Sequence, residues 1–332
     1  MKITVFIPTY NSGHLLRATL DSVTAQTHSD LEVLVVDDSS TDGGLTAAIV
    51  SEYAARDSRI SFISKPHDGD VPHAWHYVMP RISGEFVLYM SHDDIIAPDA
   101  IERGVAVAMS DESIDHVVLR MTMFNNDYRH PEPEYENLNR RFHALASLKP
   151  ISGEDAFVRS LDYGITGLGL WRTSLIQRYP VPVDTFNGDD FMHRVWRLHC
   201  RKVAFSDGDF FYRQSPTGIL RGHRLYHFRG LKIHDRLAMM LDDFKPISGE
   251  RYAEVIYNWY KWLRQHNAWF SRHRRDYTPD ERKAIVEILR RSHTVIGSRI
   301  TSVPPGFIGR IVRLSSRNFT LFRLLSFIDR PS

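Results

Sequence analysis

Val35-Val36-Asp37-Asp38-Ser39-Ser40-Thr41-Asp42-Gly43 is the stretch where the chain changes character most sharply. The β-branched, apolar run Leu31–Val36 reads as a strand. It stops at a cluster of Asp, Ser, Thr and Gly, residues that make turns because their side chains bond nearby backbone and because glycine accepts positive φ. A helical stretch follows to about Ala55.

The same alternation runs outward in both directions. Upstream, Ile3–Pro8 is a short apolar run, Asn11-Ser12-Gly13 supplies capping chemistry, and Leu15, Leu16, Leu20 and Val23 recur at helical spacing. Downstream, Ile60–Ser64 predicts a third strand, Val71–Arg81 a helix and Glu85–Met90 a fourth strand, followed by Ser91-His92-Asp93-Asp94 and a helix opened by Pro98. Strands alternating with helices imply right-handed crossovers and a mainly parallel central sheet flanked by helices, an α/β fold. Such sheets bind ligands at the carboxyl ends of their strands. Thr9–Asn11, Asp37–Ser40 and Ser91–Asp94 each follow a strand directly, so all three are expected on one rim.

The middle of the chain is mixed. Val117–Met121 and Ile165–Trp171 read as strands, Phe191–Cys200 as a helix and Lys202–Arg213 as a strand. From about residue 221 long amphipathic helical patterns take over, through Leu225–Leu241, Tyr252–Phe270, Asp280–Arg291 and 304–329. The expected organisation is a nucleotide-binding and catalytic region over 1–220 and a helical region over 221–332.

Composition narrows the function classes. In 332 residues, 42 Lys and Arg stand against 40 Asp and Glu, a net charge of +2, which argues against a dedicated nucleic-acid binder. The single cysteine, Cys200, cannot form an internal disulfide, and its apolar surroundings predict an inert buried thiol in a reducing compartment. Met1–Pro8 is too short an apolar run for a signal peptide, and no window reaches the ~20 apolar residues needed to span a bilayer. The expected location is the cytoplasm or the inner face of a membrane.

Three acidic pairs carry the candidate chemistry. A diphosphate bound to Mg²⁺ or Mn²⁺ needs one or two protein carboxylates, because phosphates and waters complete the shell, and Asp93-Asp94 on a turn after a strand suits that task. The same pair also suits the start of the following helix as a cap. Asp37-Asp38 fits a contact to a base or ribose, or a plain turn. Asp189-Asp190 opens a helix and fits a general base that takes the proton of an attacking hydroxyl, or again a cap.

Together these segments resemble the inverting family 2 glycosyltransferases. Ile7-Pro8-Thr9-Tyr10-Asn11 is similar to their opening IPTYN, and residues 35–43 to VVDDGSTDG. Gly84-Glu85-Phe86-Val87-Leu88-Tyr89 before Ser91-His92-Asp93-Asp94 resembles GEYILFLDADD, and Gly188-Asp189-Asp190 resembles the later GED. Order and spacing agree over residues 1–213. The resemblance implies a GT-A fold with a C-terminal helical extension and a metal-dependent, inverting hexosyltransferase. It implies a nucleoside-diphosphate sugar donor, UDP-linked by family habit, and Mn²⁺ or Mg²⁺. The implied acceptor is a glycan or lipid-linked glycan of a bacterial surface polysaccharide such as O-antigen, capsule or exopolysaccharide. By position Pro8, Thr9, Tyr10, Asn11, Asp37 and Asp38 border the base and ribose. Ser91, His92, Asp93 and Arg213 border the donor diphosphate. Asp93 and Asp94 are the metal ligands, and Asp190 is the base with Asp189 beside it.

Two positions depart from the pattern. Ser91 stands where many members carry the first Asp of Asp-x-Asp, and its hydroxyl adds no charge to a metal. Asp189 replaces the more frequent Glu. The competing reading is a nucleotide-sugar or glycan-binding protein without turnover on the same fold. A nicotinamide dehydrogenase would need Gly-x-Gly-x-x-Gly after the first strand, where Pro8-Thr9-Tyr10-Asn11-Ser12-Gly13 stands instead.

Other segments hold alternatives. The loop His67-Asp68-Gly69-Asp70 borders the donor in relatives, and His73 and His76 near it suit a solvated face better than a metal pair. The glycines of Asp162–Trp171 allow either an acceptor-side approach or close strand packing. Tyr212-Arg213-Gln214-Ser215-Pro216-Thr217-Gly218 closes the catalytic region, and His223 and His227 are further candidates near the metal. Residues 293–332 hold six arginines (Arg299, Arg310, Arg313, Arg317, Arg323, Arg330) against one acid, Asp329, interleaved with Phe307, Ile308, Leu314, Phe319 and Leu324. Such a segment either lies on an anionic membrane surface or docks on the protein with its arginines outward.

Overall fold

The computed structural model describes residues 1–69, 71–183, 188–214 and 225–326. Asp70, residues 215–218, His223, the boundary expected near 220 and residues 327–329 of the tail lie outside the described residues. The chain divides into two compact units, one of residues 1–183 with 192–218 and one of residues 184–191 with 219–332.

The first unit is built on one nine-stranded sheet. Its opening half alternates as the apolar runs dictate: β1 (Ile3–Thr9), α1 (Gly13–Thr24), β2 (Leu31–Asp37), α2 (Leu45–Ala54), β3 (Ile60–Ser64), α3 (Val71–Val78) and β4 (Phe86–Tyr89). β5 (Ile95–Ile96), α4 (Ala100–Met109), β6 (Ile114–Phe124), α5 (Glu136–His143), β7 (Ile151–Ser152), α6 (Gly153–Ser160), β8 (Gly169–Arg172), α7 (Thr173–Arg178), α8 (Gly188–Leu198) and β9 (Lys202–Arg213) follow. The strand order is β3-β2-β1-β4-β8-β6-β9-β5, with β7 also on β9.

β3, β2, β1 and β4 pair in parallel, and β6 and β9 run the same way, so six of the nine strands share one direction. β8, β5 and β7 run against it, which makes the sheet mixed. The strand expected from Ile165 begins only at Gly169, where β8 squeezes between β4 and β6. Gly169 has φ +150°, and a Cβ there would lie 2.0 Å from the Val117 carbonyl oxygen, so no other residue fits. Val5, Val35, Leu88, Val117 and Leu170 are buried along the central strands, as expected of a sheet covered on both faces.

The register aligns the carboxyl ends. Thr9 lies opposite Asp37, and Asp37 opposite Ser64. The loops that follow β1, β2 and β3 therefore leave the sheet side by side.

The second unit is helical: α9 (Leu225–Arg229), α10 (Leu231–Leu241), α11 (Gly249–Arg272), α12 (Pro279–Gly297), α13 (Phe307–Ser316) and α14 (Phe319–Leu325), together with the first four residues of α8. Ser248 caps α11, and Thr278 with Glu281 forms a capping box on α12 behind Pro279. Two expected long helices are each broken. Leu225–Leu241 is interrupted at Gly230, and the tail at Asn318, whose side chain caps α14 by accepting from the Leu321 amide at 3.0 Å. Among the described residues no helix is long and apolar enough to cross a membrane.

One buried carboxyl gives this unit a pH signature. Asp235 on α10 is 1% exposed. Its Oδ2 accepts from Ser292 Oγ of α12 at 2.9 Å, while Oδ1 has no hydrogen-bond partner among the described residues. Burial pushes its carboxyl up to about 6, against the pull of Ser292, Arg291, Arg299 and Lys232. Because the folded value exceeds the unfolded one near 3.9, folding favours the neutral acid. The contribution is fully present below pH ~4 and is lost as pH rises through ~6. Asp235→Asn, which cannot ionise, is expected to stabilise the second unit by about 2 kcal/mol at pH 7.5 and to change little at pH 4. Urea melts at both pH values check this; equal pH slopes for the two proteins would contradict it.

Candidate active site

The loops at the carboxyl rim are knitted together by their own side chains. The Asp38 amide donates to the Thr9 carbonyl at 2.9 Å, and the Asn11 amide to Ser40 Oγ at 2.9 Å. The Asn11 side chain accepts from the Thr41 amide at 2.7 Å and donates to Thr41 Oγ1 at 3.3 Å. Asn11 and Ser39 sit at φ 51° and 54°, left-handed conformations that non-glycine residues rarely adopt. Ser39 holds its place through Oγ, which donates to the Lys65 carbonyl at 2.7 Å. The resembled motif carries glycine at that position.

Asp37 and Asp38 have separate tasks. Asp37 ties its own turn, accepting from the Ser40 amide at 3.0 Å and from Thr9 Oγ1 at 3.3 Å. Asp38 grips the loop after β3. Its carboxylate accepts from the Asp68 amide at 3.1 Å and the Gly69 amide at 3.0 Å, lies 2.8 Å from His67 Nδ1, and is ion-paired with Lys65. Burial alone would raise the Asp38 carboxyl, but Lys65 and the two amides outweigh it and hold it below the usual carboxylate range.

Lys65 is 2% exposed, and its ammonium bridges Asp38 and Asp68 while donating to the Pro66 carbonyl at 3.1 Å. Sequence reasoning missed this residue. The signal lay in a lysine directly after a strand, facing an acidic turn one strand away. Tyr10, 41% exposed, stacks on His67 with ring centres 4.9 Å apart, so the first and third loops present a joint aromatic surface.

The turn after β4 completes the rim. The Met90 amide donates to the Phe6 carbonyl at 3.1 Å, and Thr19 Oγ1 contacts the carbonyls of His92 and Asp94 at 2.8 Å each. Ser91, His92 and Asp93 are half-buried, while Asp94 is buried. Asp94 was expected beside Asp93 as a metal ligand, yet its carboxyl faces inward. Oδ2 accepts from the Ser91 amide at 3.2 Å and Oδ1 from the Arg213 amide at 3.0 Å. Burial first, and the neighbouring Asp93 second, raise its carboxyl well above the ordinary range, and its two oxygens brace the turn through the Ser91 and Arg213 amides. Burial pushes the His92 imidazole down, partly offset by Asp93. Arg213 donates from Nε to the Asp93 carbonyl at 2.9 Å and from Nη1 to the Asn125 carbonyl at 2.9 Å, with its guanidinium 4.5 Å from the Phe124 ring centre. It clamps β9 to the acidic turn.

Asp189 and Asp190 are half-buried in the first turn of α8, in the second unit. Further along α8, in the first unit, Arg194 Nε donates to the Ser160 carbonyl at 3.1 Å and Trp196 Nε1 to the Tyr179 carbonyl at 2.7 Å. Of the remaining candidates, His76 donates to the Val181 carbonyl and His73 lies 4.0 Å from Asp68, so the two imidazoles have different partners. His227 lies on α9 in the second unit. In the glycine-rich segment, Trp171 Nε1 donates to the Gly167 carbonyl at 2.9 Å, and the Trp171 ring stacks on His116 at 3.5 Å. Cys200 is buried, and burial pushes its thiol up, the condition of an inert cysteine. Among the described residues no three His, Cys, Asp or Glu side chains converge in a metal-binding group.

Residues 4–160 match the sequence profile of Glycosyl transferase family 2. Glycosyltransferase GlyA of Streptococcus pneumoniae is 37% identical over 101 residues, which is 30% of this chain and 14% of GlyA. The chain spans less than half the length of the curated relatives it matches. Residues 1–349 of S. aureus TarS, solved in complex with UDP, superpose with a TM-score of 0.66 at 16% identity, covering 98% of this chain and 89% of that one. The mannosyltransferase PcManGT from Pyrobaculum calidifontis, in complex with GDP-Man and Mn²⁺, gives a TM-score of 0.51 at 17% identity, covering 98% and 85%. Residues 4–160 thus match glycosyl transferase family 2 at the level of a sequence profile, and the chain carries the GT-A glycosyltransferase fold.

Proposed function

We propose that the chain is an inverting glycosyltransferase that moves a sugar from a nucleoside-diphosphate sugar, UDP-linked, to a hydroxyl of a glycan or lipid-linked glycan in surface polysaccharide synthesis. The observation that carries this reading is the rim itself. Polar loops from β1, β2 and β3 are bonded to one another, and the turn after β4 is tied to β1 and α1 beside them, at the carboxyl ends of parallel strands, where such sheets take nucleotides. TarS with UDP and PcManGT with GDP-Man and Mn²⁺, neighbours of the same fold, support a nucleotide-sugar donor and a divalent metal.

In this reading Tyr10 and His67 face the base, and the loops fixed by Asn11, Asp37 and Asp38 frame the ribose. Asp93 is the carboxylate that would hold a divalent cation on the donor diphosphate. A single carboxylate fits, because phosphates and waters supply the remaining oxygen ligands. When bound, the cation offsets charge on the departing nucleoside diphosphate. Arg213 and Asp94 keep the Asp93 turn in place through its backbone. Asp190, at the position of the family's base, takes the acceptor hydroxyl proton as that oxygen attacks the anomeric carbon. The bond from that carbon to the diphosphate breaks on the opposite face, which inverts the configuration.

A thermal-shift panel of UDP-, GDP- and dTDP-sugars with Mn²⁺, and then with a chelator, tests donor and metal together. One donor class is expected to raise Tm only with metal. Asp93→Ala is expected to weaken that metal-dependent binding about a hundredfold, in line with the loss of a charged ligand. Donor binding that ignores both the chelator and Asp93→Ala would remove the metal from the reading.

A further inference from the structure

The helical C-terminal region carries a charge bias that the whole-chain balance hides. Residues 219–332 hold 22 Lys and Arg against 10 Asp and Glu, a net +12, while residues 1–218 hold 20 against 30, a net −10. Charge divided this way along a chain points to a polyanionic partner for the basic part.

Inside the second unit, α13 shows where such a partner would sit. Its inner face is fixed: Ile311 and Val312 are buried, and Ser315 Oγ accepts from Arg264 Nη1 at 3.0 Å, while the Ser315 carbonyl accepts from His293 Nε2 at 2.8 Å. At 3.6 residues per turn, Phe307, Arg310, Arg313, Leu314 and Arg317 fall within an arc of about 120° on the opposite side. All five are exposed. Phe307 is 69%, Leu314 59% and, on α14, Leu324 63% exposed. Among the described residues none of the three arginines is in an ion pair, and α13 and α14 contain no acid.

We propose that the outward face of α13, with Leu324 of α14, is a docking surface for a bilayer rich in anionic phospholipid. A merely solvated arginine face would not need an exposed phenylalanine and leucines between its charges. A nucleic-acid groove binder would use polar side chains there rather than aliphatic ones. Arginine heads at the phosphate level with apolar side chains just beneath match the two layers of a lipid surface. One face of α13 docks on α11 and α12, and the other is exposed. This inference does not depend on the glycosyl-transfer reading.

Co-sedimentation of the full chain with vesicles tests it. The protein is expected to pellet with 70:30 phosphatidylcholine:phosphatidylglycerol vesicles and to stay in solution with phosphatidylcholine alone. Arg310→Glu/Arg313→Glu/Arg317→Glu is expected to weaken the partition about a hundredfold or more, given the contribution of each basic residue at an anionic surface. Phe307→Ser/Leu314→Ser should cost about tenfold. Both variants change exposed residues and should keep the parent Tm, which separates loss of docking from loss of fold. Equal binding to both vesicle types, or full binding by the triple variant, overturns the proposal. So does full binding by Phe307→Ser/Leu314→Ser together with complete displacement by a short DNA duplex, the behaviour of a generic polyanion patch.

Discussion

Asp190→Asn is expected to lower kcat about a thousandfold while leaving donor binding within about twofold of the parent. Asparagine keeps the shape of the carboxylate and its capacity to accept a hydrogen bond, but it takes no proton at neutral pH. The acceptor hydroxyl must lose its proton as the new bond forms, and a positioned base contributes about 10²- to 10⁴-fold to such a step. Asp190 sits in the first turn of α8, whose later turns are bonded to the backbone at Ser160 and Tyr179. Steady-state kinetics with saturating donor, beside donor titration by calorimetry, separate the two effects. Asp189→Asn is the control, since a neighbour that only shapes the turn should lose far less. Turnover within tenfold of the parent in Asp190→Asn would place the base elsewhere.

Lys65→Met is expected to destabilise the first unit by about 3 kcal/mol. Methionine fills a similar volume but leaves the Asp38 and Asp68 carboxylates facing each other without the ammonium that bridges them. Removing one partner of a buried pair costs about 3–5 kcal/mol, and the lower value applies because the Asp68 side chain is 34% exposed and water screens it. In a unit of this size that corresponds to a drop in Tm of roughly 6–12 °C. The double variant Lys65→Met/Asp38→Asn should recover part of the loss, because one stranded charge is gone. A fall in Tm that is equal in the single and double variants would show that packing, not charge, sets the role of Lys65. The same variant frees the loop at residues 65–69, so donor affinity should fall together with stability.

The α/β fold of the first unit was legible from residues 31–43 and their neighbours. β-branched runs that stop at Asp, Ser and Gly have few other ways to fold. The parallel order of β3, β2, β1 and β4 follows from helices placed between consecutive strands. The reversal at β8 was not legible. It depends on Gly169 meeting the Val117 carbonyl, a contact between residues far apart in the chain. The breaks at Gly230 and Asn318 were hidden because apolar periodicity continues through them, and only the packing of each half decides where a helix must turn.

Residue types and spacing by themselves determined that polar loops would follow β1, β2 and β4 and that acidic pairs would occupy the last two. Both are local properties of the backbone and its neighbours. Tertiary structure alone decided which acid does what. Asp94 is buried and braces its own turn, Lys65 claimed Asp38 for the loop after β3, and Arg213 reached from β9 to hold the Asp93 turn. A carboxylate's task depends on its solvation and on the charges within a few ångströms, and those are set by chain segments that the sequence keeps far apart.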